Sequence, residues 1–303
     1  MTTALLGLYL LLVGFALPRR LARSPRLRAG LQARPVAGTA VWLALMASFG
    51  VALLLTVHHL AAPAGHEPAG LVGLLPHTEP VPAPARPAHG WWAPAAAALA
   101  AGGVAAAVGL RTARQRRRHR EVLDIVARRD ARCDALVLED PRPTVYCLPG
   151  RHSRVVVSRG ALELLGERQL AAAVAHERGH IRGRHHLVRA AVDAFALVLG
   201  ALPLARTGRA EVALLLEMAA DDAALAVATR TELASALCLL ATGQPSGRAG
   251  AGVPGRALGA ASTGVLPRVQ RLARPAPAAP AAWRLAAASA PVLPYLLACA
   301  PHP

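Results

Sequence analysis

The sequence predicts a mainly α-helical membrane protein carrying one α+β unit that faces water, and three observations predict it. Mean hydropathy is positive, +0.37, with 54% hydrophobic and only 3% aromatic residues in a chain of 303. Several apolar runs approach the roughly 20 residues needed to cross a hydrocarbon layer. The acids are confined, since 15 of 17 carboxylates fall between Glu121 and Glu232. A stretch of about 150 residues, from 121 to 275, is long enough to bury a core of its own. A disordered chain is excluded, because it would need low hydrophobicity.

Taken in order, the apolar runs Thr3–Pro18, Ala40–Ala62 and Trp91–Leu110 give three transmembrane helices (3–18, 40–62 and 91–110) within a membrane region 1–110. Ala281–Ala300 gives a fourth, C-terminal one, 281–300. The first run reads as an uncleaved anchor, because its positive charges follow the apolar stretch instead of preceding it. All 34 basic residues are Arg, against 17 acids, for a net charge of +17. Arginines flanking short loops are retained in the cytoplasm. Arg19, Arg20, Arg23, Arg26, Arg28 and Arg34 therefore place the first loop inside, and Arg111, Arg114, Arg116, Arg117, Arg118 and Arg120 return the chain there after the third helix. Arg268, Arg271, Arg274 and Arg284 do the same before the last run. The cluster at 111–120 lacks interleaved aromatics and abuts a membrane segment, so it reads as attracted to membrane lipids and not as a nucleic-acid surface.

The expected soluble domain is 111–275, cytoplasmic and multi-pass-anchored in the cell membrane. Inside it, Val155-Val156-Val157-Ser158 reads as a strand of a small sheet after a turn at Pro149-Gly150, expected at an edge although a plain core strand fits the sequence alone equally well. Such an edge can take an extended peptide as an added strand. Four cysteines with no C-x-x-C pair, Cys133, Cys147, Cys238 and Cys299, read as reduced thiols. His58, His59, His66, His77 and His89, near or in the Pro-rich loop 63–90 that carries one Arg and is placed outside, read as solvated.

The run AAAVAHERGHIRGRHH contains H-E-x-x-H as His176, Glu177 and His180, among strong helix formers. Residues four apart share a helix face, so both imidazoles reach one zinc ion, with Glu177 beside it as a catalytic base. Downstream, EVALLLEMAADDAAL puts Glu217 and Asp221 four apart on a second helix. Glu217 would be the third protein ligand, leaving a position for water. Asp221 would accept a hydrogen bond from the far nitrogen of a liganding imidazole. A rival pattern, His176-x-x-x-His180-x-x-Gly183-x-x-His186, would make His186 the third ligand. It requires the helix to end at Gly183, whereas RGRHHLVRAAVDAFALVLG can continue as a helix; His185 and His186 then lie on a polar face beyond the site.

HERGH followed by EMAAD resembles the paired motifs of gluzincin membrane peptidases. YCLPG, then RVVVSRGAL, then AHERGHIRGRHH is similar to the BlaR/MecR type of membrane zinc peptidase, with HtpX-type peptidases as a near neighbour. The resemblance covers 140–240 closely. It implies a gluzincin-like domain with one Zn2+ per chain, His176, His180 and Glu217 as ligands, Glu177 as general base and acid, and Asp221 as partner of an imidazole. It also implies a protein or peptide substrate, with a repressor-type protein among the candidates. Receptors of that type continue into an extracellular penicillin-binding domain, and this sequence does not, so beta-lactam sensing is not implied. The alternative function is a catalytically silent membrane scaffold with a structural zinc site. No nucleic acid is expected as a partner. For an oxyanion donor, Tyr146 and the arginines stay open.

Overall fold

The computed structural model describes residues 2–61, 92–130, 134–150, 153–243, 256–274 and 293–294. Helix α1 (Thr2–Leu11) passes through a π-helical turn, Leu12–Ala16, into α2 (Leu17–Arg23). Pro18 is tolerated there because it falls in the first turn of α2, where its missing N–H costs nothing. Ser24 then turns the chain: its backbone is extended and its hydroxyl accepts the Leu27 N–H at 3.4 Å, capping α3 (Pro25–Ala33). Two long helices follow, α4 (Pro35–Ala61) and α5 (Trp92–Val126). Thr3–Arg23, Pro35–Leu60 and Trp92–Val126 are each long and apolar enough to cross a membrane. The expected boundary between 110 and 111 is not a break. Helix α5 runs unbroken to Val126, about 52 Å in all at 1.5 Å per residue. The run at 281–300 lies outside the described residues except for 293–294, as do His66, His77 and His89. His58 and His59, expected to be solvated, instead lie in α4, which continues to Ala61, and His58 is buried.

Beyond α5, strands β1 (Ala127–Asp130), β2 (Ala135–Leu138), β3 (Val145–Leu148) and β4 (Arg154–Ser158) form one mixed sheet in the order β1-β2-β4-β3. The expected edge strand at 155–158 is instead internal. It pairs parallel with β2, Leu136 opposite Val156, and antiparallel with β3, Tyr146 opposite Val156. A run of three β-branched residues without a polar alternate suits a strand covered on both faces, and Val156 and Val157 are fully buried. Among the described residues, β3 is the edge on that side. The sheet's faces differ: Val155 and Val157 pack with Val174 of helix α7 (Glu167–Arg182), while Val156, Leu148 and Tyr146 pack against Leu123 at the end of α5.

The remaining helices are α6 (Arg159–Leu164), α8 (His185–Leu199), α9 (Pro203–Ala224), α10 (Arg230–Thr242) and α11 (Arg256–Ala273). The expected continuous helix through residue 183 is overturned. Helix α7 stops at Arg182, and Arg184 adopts a left-handed conformation (φ 48°) before α8 starts. On α9 the stripe Leu204, Gly208, Val212, Leu215 is buried against α4, whose Val41, Trp42, Leu45, Met46 and Phe49 recur at helical spacing. A side chain at Gly208 would meet the Met46 methyl at 2.4 Å and the Trp42 ring at 3.1 Å, so α4 fills that place with its own side chains. Buried Glu211 adds an ion pair to Arg28 of α3 at 2.9 Å.

Candidate metal centre

Helix α7 rests on the sheet through Val174, and its opposite face turns His176 and His180 toward α9. The two helices cross where both are small. A Cβ at Gly179 would lie 3.0 Å from the Ala223 side chain and 3.2 Å from the Ala220 backbone. Glycine inside H-E-R-G-H and alanine inside E-M-A-A-D thus let the helices approach, and the approach brings Glu217 to the imidazoles. One nitrogen of His176, one of His180 and one oxygen of Glu217 lie within 4.8 Å of one another. His186 is not in this group, although the helix break that its ligation required is present.

The donors fit a divalent cation. His176 Nε2 and His180 Nε2 are 3.2 Å apart, and Glu217 stands 3.5 Å from each through its two oxygens. Ligand atoms about 2.0–2.1 Å from one tetrahedral zinc are about 3.3–3.4 Å from each other, a spacing that the imidazole pair matches and that each Glu217 oxygen approaches toward one ring. The far nitrogens are engaged as ligation needs. His176 Nδ1 is 3.0 Å from Asp221 Oδ1 and donates there, so when the ring gives up its second proton it is Nε2 that carries the lone pair. His180 Nδ1 is 2.8 Å from His185 Nδ1. The pocket also favours positive charge. Burial would lower the His176 pKa, yet hydrogen bonds to Asp221 and Glu217 outweigh it and raise it to about 9. Burial would raise the Glu217 carboxyl, but bonds to His176 and His180 hold it well below the usual carboxylate range.

Glu177, one position round from His176, faces the edge strand β3, where its carboxylate is hydrogen-bonded to the Cys147 thiol. Burial first, and then Glu177, push that thiol well up, so Cys147 stays protonated. Cys147 and Cys238 are free; Cys133 and Cys299 lie outside the described residues. Tyr146, next in β3, points to the other face and is hydrogen-bonded to His119 at 3.1 Å, which removes it as an oxyanion donor.

Residues 112–237 match the family model of Peptidase family M48. The matched segment starts within α5, contains the sheet and α7 to α9, and ends within α10, so all five motif residues fall inside it. The match supports a metallopeptidase, a hydrolase of peptide bonds; M48 peptidases are generally zinc-dependent, which agrees with the donor set. No curated protein and no solved structure matches the chain.

Sequence reading missed three members of this centre. His185, expected on a polar face beyond the site, backs His180; burial and then the neighbouring His180 lower its pKa to about 4 and keep it neutral. Gly183 leaves room for that ring, which a Cβ would approach to 2.3 Å. Arg268 of α11 is buried against the carboxylates, its Nε and Nη2 donating to the two oxygens of Asp221 at 2.8 and 2.7 Å and its Nη1 to Glu217 Oε2 at 3.1 Å. One arginine among 34 carries no local signal of such a role, and it lies beyond the matched segment.

Proposed function

We propose that the chain is an integral membrane zinc-dependent endopeptidase that hydrolyses protein or peptide substrates at the cytoplasmic side of the cell membrane. The observation that carries this reading is the convergence of His176, His180 and Glu217 from two helices of the matched segment, with Glu177 alongside. His176, His180 and Glu217 would hold one Zn2+ per chain. Bound there, the ion supplies Lewis acidity to the scissile carbonyl and to the attacking water. Glu177 takes the proton of that water and passes it to the leaving amine. Asp221 keeps the His176 ring turned with Nε2 toward the ion, and His185 does the same for His180.

The membrane assignment rests on the three long apolar helices and on the arginines that follow the first and third of them. The proposed organisation is a membrane region 1–110, a peptidase domain 111–275 and a fourth span 281–300, with lipids contacting the basic stretches. The motif likeness to BlaR/MecR-type peptidases favours a repressor-type or membrane protein as substrate. The test is elemental analysis of the full-length protein together with cleavage of a quenched fluorescent peptide library by the parent and by Glu177→Gln. One zinc per chain in both, with turnover in the parent alone, is the expected outcome. A metal-free parent, or equal turnover in both proteins, overturns the reading.

A further inference from the structure

Arg268 lies 3% exposed on α11, against a helix it meets only through the fold. Its guanidinium spends all three nitrogens on the two carboxylates that stand four apart on α9. Nε and Nη2 grip both oxygens of Asp221, and Nη1 takes Glu217 Oε2. Nη2 also lies 3.5 Å from both ring nitrogens of His176. Two consequences follow from this fork. Asp221 cannot rotate away from His176 Nδ1, because each of its oxygens is already held. Glu217 has one oxygen committed to a cation of the protein, whereas the other, Oε1, has His180 Nε2 at 3.5 Å. Arginine suits the task because its donors are fixed in a plane and always charged; a lysine would give a single point charge.

We propose that Arg268 is a positioning residue of the metal centre: it locks the rotamers of Glu217 and Asp221 together, so that Glu217 offers the ion a single oxygen and His176 keeps its orienting carboxylate. This inference rests on the zinc reading above. Two effects of the guanidinium oppose each other. As a cation near the ion it weakens binding, and as the partner of two buried carboxylates it preorganises the ligands. Preorganisation wins here, because without Arg268 the fully buried Asp221 keeps only His176 as a partner, and losing the second partner of a buried charge is strongly destabilising.

The experiment uses the full-length protein in detergent, with zinc affinity measured by competition against a chromophoric chelator and coordination read from the visible spectrum of the Co(II) form. Arg268→Gln should weaken zinc binding by about 10–100-fold, the usual effect of losing an outer-shell partner. Its Co(II) bands should also lose intensity as Glu217 becomes free to bind through both oxygens. Arg268→Lys should move both readouts in the same direction by less, and it carries the test if Arg268→Gln does not fold. Arg271→Gln, which breaks the contacts of the same helix to Asp222 and to the Gln32 carbonyl, should leave both unchanged. Unaltered affinity and spectrum in the Arg268 variants, or tighter zinc binding, overturns the inference while the zinc reading stands. A parent protein that binds no zinc sinks both.

Discussion

The two sides of the metal centre stand on different foundations. The α7 side, with His176, Glu177 and His180, rests on the sheet through Val174, Val155 and Val157. The α9 side, with Glu217 and Asp221, rests on the apolar helix α4 through Val212 and Leu215, and it is tied to α3 by Glu211 to Arg28. They meet at Gly179 and Ala220. A centre split in this way has the proposed base and two proposed ligands in one contiguous motif, while the proposed third ligand sits on a helix packed against that apolar helix.

The largest expected effect separates the sides by function. Glu177→Gln should lower turnover by about 10²–10⁴-fold with zinc retained. Glu217→Gln should lose zinc and turnover together, and His186→Ala should keep both; metal content and peptide cleavage measured on the same preparations check this. Next, the imidazoles differ in what backs them. Asp221→Asn removes an anionic partner and should weaken zinc binding by about 10–100-fold, and His185→Asn, which removes a neutral one, should cost less. Chelator competition ranks the pair, and equal losses would erase the distinction between them.

A smaller effect tests the α4–α9 seam. Gly208→Leu should destabilise the fold by about 1–3 kcal/mol through overpacking, seen as a lowered Tm. Gly102→Leu, on a face of α5 where nothing lies within 4 Å of an added Cβ, should not. The smallest effect concerns the sheet side alone. Burial lowers the pKa of His119, so the folded state prefers the neutral ring. The unfolded chain takes up a proton as pH falls below 6.5 and the folded one resists it, so this contribution is complete above 6.5 and is lost on acidification. Hydrogen exchange, corrected for intrinsic rates, should therefore quicken in β3 on lowering pH through that value, and His119→Gln should remove that slope.

What could be read in advance follows the same division. H-E-x-x-H and E-x-x-A-D place ligands by helical spacing, so His176, Glu177, His180, Glu217 and Asp221 are visible as a pattern along the chain. The apolar helices are visible as composition. The strand order was not, because Val155–Ser158 is equally β-branched at an edge or at the centre, and only pairing with Leu136 and Tyr146 decides. The end of α7 was misread because Gly183 has an ordinary helical φ of −73°, and the break is made by Arg184, which has no propensity for it. Arg268 stands 47 residues from Asp221, and no local rule links them.

The contact at Gly208 has one more consequence. With the Met46 methyl and the Trp42 ring already filling the place of a first carbon, residue 208 can gain a side chain only if those two groups of α4 give way. A change in how those two side chains pack is therefore felt on the helix that carries Glu217.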